Sequence, residues 1–145
     1  MDHHTKRISL KNPGLSEDQL QSEQFILARQ RKGVYRFRVE QVEFQCRLTE
    51  VKNKEYLTVC HIKPWQYCTN EEKLDGNNGF LMCPHIGYLF EKGLISFADN
   101  GEVAISKYLD PEILGAWNLC KRNIGAFNPE QIKYLSYHRN LIFRE

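Results

Sequence analysis

His61 closes the β-rich stretch EYLTVCHI, and Asn78-Gly79 opens an apolar run after a long polar loop. An imidazole held at a strand end can take a proton from water near neutral pH. An asparagine in the facing loop can fix both the backbone and the ring through its amide. After the apolar run comes PHIGYLFEKG, which opens with Pro84 and closes with Gly93, the usual asymmetry of a short helix. A helix beneath a strand end can present two ligands four residues apart on one face. A divalent cation held there would neutralise a phosphate and stabilise a leaving oxygen. In this helix Glu91 offers a carboxylate, and Gly87, one turn earlier, offers nothing. His85 lies six positions before Glu91, out of phase with it inside a regular helix. At an irregular helix start its ring can swing toward the site. Singly these signals are weak, because a lone histidine is usually structural and Asn-Gly is usually a turn. Their order along the chain is what points to phosphodiester chemistry.

The chain has 145 residues, enough for one domain with a real core. Its net charge of +2 decides little. Clustering says more: ARQRKGVYRFRVE gathers Arg29, Arg31, Lys32, Arg36 and Arg38, a run that either meets phosphates or forms a solvated helix face. Arg31, Lys32 and Arg36 are taken as candidate nucleic-acid contacts, with Lys63 and Arg139. The five cysteines form no CxxC pair, which argues against a four-cysteine zinc site or a disulfide framework. Cys46 and Cys60 are expected in packing, Trp65 and Phe90 in the core. No apolar run approaches a membrane span, and MDHHTKRISLKNPG lacks the apolar centre of a signal peptide. A cytoplasmic protein is expected, with no membrane partner.

Residues 1–15 read as a flexible N-terminus, and residues 16–145 as one domain. Ser16 with Gln19 has the capping-box pattern of a helix start. The stretch 34–44 fits a strand or a helix equally well. A strand near 56–61, a polar loop, a second short strand at FLMC and the PHIGYLFEKG helix follow. LISFADNGEVAIS reads as a hairpin turning at Asp99-Asn100-Gly101. Asp110-Pro111 and Asn128-Pro129 each start a helix. This order gives an α+β fold.

The segment VCHIKPWQYCTNEEKLDGNNGFLMCPHIGYLFEKGLISFADNG resembles the HNH endonuclease family, in the branch with an HIKPW…NG…LFD.G.ISF signature. RKGVYRFRVEQVEFQCRLTE resembles the segment that usually precedes this motif, and YLSYHRNLIF its usual ending, so the likeness runs over roughly residues 29–143. The resemblance implies a ββα-metal core over about 55–93, flanked by helices and a β-hairpin. It implies His61 as general base, Asn78 as the structural asparagine, a divalent metal (magnesium, manganese, nickel or zinc) and a DNA phosphodiester as substrate. It also admits a homodimer or a protein partner. The chain departs from the pattern where the family has Asp-x-Leu-Phe-Asp and this sequence has GYLFE. The two helical ligands would fall on positions 87 and 91. Glu91 keeps a carboxylate for a hard cation, whereas Gly87 has no side chain. Cys60 stands where some members carry a further ligand, but magnesium does not favour a thiol. The expectation is a metal-dependent DNA endonuclease whose cation is held weakly by Glu91 and His85. The alternative is an HNH-fold module that binds DNA or a protein partner without efficient cleavage.

Overall fold

The structure is a computed structural model and describes residues 33–145. The N-terminus expected to be flexible, the helix expected from Ser16, and Arg29, Arg31 and Lys32 lie outside the described residues. Within them, strand β1 (Thr58–His61) pairs antiparallel with β2 (Gly79–Met82), with Cys60 opposite Phe80 and His61 opposite Gly79. Side chains alternate across a strand, so Cys60 and His61 point to opposite faces of this ribbon. The short helix α2 (Asn70–Lys73) lies in the loop between the strands.

Helix α3 (Pro84–Glu91) covers the Cys60 face. Its Ile86, Gly87, Leu89 and Phe90 are buried, the pattern of a helix with one face on a core. It stops at Gly93, whose φ of +74° suits glycine and where a side chain would meet the carbonyl of Ile142. The opposite face is covered by α1, residues 33–40, in which Tyr35 and Val39 are buried and Phe37 is exposed. That i, i+4 burial resolves the ambiguous stretch as helix: strand alternation would have buried Phe37 with them. A Cβ at position 79 would run into the Tyr35 phenol and Val39, so glycine there lets α1 approach.

Strands β3 (Ile95–Phe97) and β4 (Val103–Ile105) form the expected hairpin, turning at Gly101 with φ +97°. Helix α4 (Pro111–Ala116) is capped by Asp110, and α5 (Pro129–Tyr137) by a reciprocal Asn128–Gln131 box. Together these elements make the α+β architecture the sequence suggested. No helix among the described residues is long and apolar enough to cross a membrane.

The core joins the two sheets through Phe80, which meets Phe90 and Phe97 edge-on at 5.6 and 5.7 Å. His138 begins the wide turn His138–Ile142 after α5 and stacks flat on Phe90 at 3.8 Å. Its Nε2 donates to the Phe90 carbonyl at 2.8 Å, which leaves Nδ1 to accept from the Ser96 hydroxyl, also at 2.8 Å. Burial lowers its pKa to about 4, and neighbouring Arg139 adds to the effect. The folded value lies below the unfolded one near 6.5, so the unfolded chain takes the proton first. Stability from His138 should therefore be complete above about pH 6.5 and fall by about 3 kcal/mol as pH drops toward 4. Half-buried His61, whose pKa is also lowered, acts in the same direction. Urea unfolding across this window measures the slope. His138→Gln should flatten most of it, and an unchanged slope would assign the loss to other groups.

Candidate active site

Asn78 has no exposed surface, and each of its polar atoms has a partner. Its Oδ1 accepts from the Lys63 N–H at 2.9 Å. Its Nδ2 donates to the Glu72 carbonyl at 3.0 Å and to Cys68 Sγ at 3.4 Å. Its backbone carbonyl accepts from the Tyr35 hydroxyl at 2.6 Å, and its N–H reaches the Asp75 carbonyl at 2.9 Å. One amide thus ties the start of the loop after β1 to α2. The helix is set by Thr69 and Glu72, which cap each other reciprocally. TNEE is a capping-box pattern readable in the sequence that the loop assignment passed over.

Fixing Glu72 also fixes Lys73. The Lys73 carbonyl lies 2.9 Å from His61 Nε2. A carbonyl can only accept, so Nε2 carries the proton and Nδ1 of the neutral ring keeps its lone pair. Tyr35 stacks on the other part of the assembly: its ring lies 4.1 Å from the His61 ring, 7° from parallel. Burial lowers the His61 pKa, opposed by the Lys73 carbonyl and then by the Glu91 carboxylate. The imidazole is therefore neutral at pH 7 and available as a base. Tyr35 carries no signal in the sequence beyond its i, i+4 spacing from Val39, because its partner Asn78 is 43 residues away.

On the other face, Gly87 does not leave an empty ligand position. A Cβ there would stand 2.7 Å from Cys60 Sγ. Cys60 is buried, and burial, followed by the charge of Glu91, pushes its thiol up to about 12. It stays a neutral thiol at physiological pH and is a poor ligand in that state. His85 does not join Glu91. Six residues of helix put it about 120° round the axis from Glu91, and its ring packs edge-on against Trp117 at 5.2 Å. Glu91 is exposed at the last residue of α3. Among the described residues no three His, Cys, Asp or Glu side chains gather where a cation would sit. The residues present do not fit the divalent metal expected at Glu91 and His85.

The candidate DNA contacts among the described residues are also occupied. The Arg36 guanidinium bonds to Glu40, the Leu57 carbonyl and the Lys54 carbonyl at 2.9–3.0 Å. Lys63 pairs with Glu72 at 3.0 Å, and Arg139 holds Asp99 at 2.8 Å and the Phe97 carbonyl at 3.0 Å. These three brace loops and the hairpin against the core. Trp65 is 57 % exposed and lies outside the core expected for it, whereas Phe90, Cys46 and Cys60 are buried.

Residues 46–98 match the family described as HNH endonuclease. The resemblance read from the sequence holds over that stretch, which contains β1, β2, α3 and β3. No curated protein matches the chain.

The contact between Cys60 and position 87 makes a steric prediction. Gly87→Asp should cost about 1–3 kcal/mol through overpacking, against a helix gain of about 1 kcal/mol from replacing glycine. Cys60→Ala in the same chain should recover much of that loss. Urea denaturation of the four proteins in a double-mutant cycle measures the coupling; strictly additive changes would show that the two positions do not compete for space.

Proposed function

We propose that this HNH-type chain hydrolyses DNA phosphodiester bonds with His61 as general base. The observation that carries this is the Nε2 bond to the Lys73 carbonyl, which leaves Nδ1 as the proton acceptor. Nδ1 takes a proton from water, the resulting hydroxide attacks phosphorus in line, and the P–O bond to the leaving oxygen breaks as that oxygen takes a proton from solvent. Asn78 and Tyr35 hold the ring in place for that transfer. The described side chains form no site for a metal, and the transfer rests on His61 alone. Turnover is accordingly slow.

A second reading has its own support. The Cys60 thiol fills the space beside Gly87, which favours an HNH-fold module that binds DNA or a protein partner and has lost cleavage. Nicking of supercoiled plasmid, with magnesium, manganese, nickel or zinc added in turn, separates the two. Under the hydrolase reading His61→Ala lowers the rate by about 10²–10⁴-fold. Nicking by His61→Ala at the parent rate would remove His61 as base. DNA retardation without nicking in any metal would establish the second reading.

The pH profile provides a further check. A base must be neutral to act, so the rate should rise along an acid limb and level off. Burial lowers the His61 pKa, which puts the midpoint of that limb below the ordinary 6.5. Tyr35→Ala exposes the ring and should move the midpoint upward. A midpoint that stays put in Tyr35→Ala would mean that the limb belongs to another group.

A further inference from the structure

The short turn Trp65–Tyr67 has no buried residue, and its two rings are 57 % and 55 % exposed. Exposed aromatic rings beside a candidate active site can receive something that covers them in use. Their surroundings indicate what that is. The Lys73 ammonium lies 3.9 Å over the Trp65 ring and makes no ion pair among the described residues. The Tyr67 ring is 6.1 Å from that of Tyr137, and the Lys63 ammonium is 5.0 Å from the Tyr137 centroid. Glu72 faces Lys63 and the Thr69 N–H; Glu71 on the same short helix is exposed. The Trp65 ring and the Lys73 ammonium thus make one surface. That surface adjoins His61, because the residue covering Trp65 is the one whose carbonyl holds the imidazole.

We propose that this patch docks an unpaired strand of DNA. A base stacks on the Trp65 indole, with the Lys73 ammonium beside it facing a phosphate. Every base has a π face, so such stacking tolerates any sequence. A duplex keeps those faces inside its own stack and cannot offer them. An apolar protein partner would gain nothing from the ammonium groups, whereas a polyanion does. The docking stands by itself; only its role in delivering a phosphate to His61 rests on the hydrolase reading.

The chain has two tryptophans, so Trp117→Phe leaves Trp65 as the only reporter. Oligo-dT of about 12 nucleotides should quench its emission, and a duplex of equal length should not. In fluorescence anisotropy Trp65→Ala should weaken oligo-dT binding about 5- to 100-fold, and Trp65→Phe should restore most of it. Because Trp65 is exposed, the melting temperature of both variants should stay near that of the parent. Equal oligo-dT affinity in Trp65→Ala and the parent overturns the proposal, as does duplex binding with equal affinity and quenching. Failure of plasmid nicking with quenching intact would instead overturn the hydrolase reading alone.

Discussion

The Asn78 amide is the constraint on which the site depends. A buried amide without partners costs about 1–3 kcal/mol per unmet group, so its position is tolerable only because the loop supplies them all. Lys63 at one end and Glu72 at the other come to it, and the polar loop between the strands takes a single path. That path carries the Lys73 carbonyl to His61. The Tyr35 hydroxyl reaches the same asparagine from α1 while its ring lies on the imidazole. Burial of one side chain therefore couples loop path, imidazole orientation and helix docking.

The two-residue period of β1 separates two questions that the motif joins. His61 faces α1, and Cys60, its neighbour, faces α3. His61 and its partners Lys73 and Tyr35, the proposed base half of the site, stand on one face. On the other, a small residue in the helix and a thiol in the strand have closed the space where a second carboxylate would stand. A change on the α3 face thus leaves the contacts of His61 with Lys73 and Tyr35 in place, since the two faces share no side chain.

Local signals were legible in the sequence where local chemistry decides the structure. Asp110-Pro111, Asn128-Pro129 and Gly101 mark elements through caps and backbone preferences that hold wherever the chain packs. His61 and Asn78 stood out through their order along the chain. What failed depends on distant partners. Nothing near Trp65 shows that its turn stays on the surface, and Arg36 reads as a free cation until the carbonyls of Lys54 and Leu57 arrive beside it. His85 became a candidate ligand because position 87 looked vacant. Cys60, 27 residues away in sequence, fills that place from across the ribbon.

The group that fixes the proton on His61 is a main-chain carbonyl. Any residue but one that bends the backbone supplies it equally well, so the imidazole keeps its tautomer whatever side chain stands at position 73. A survey by side-chain truncation would see there only the loss of an ammonium group over an indole. The role in orienting the imidazole would show itself through substitutions that shift the end of α2, such as the loss of the Thr69–Glu72 cap one turn before Lys73.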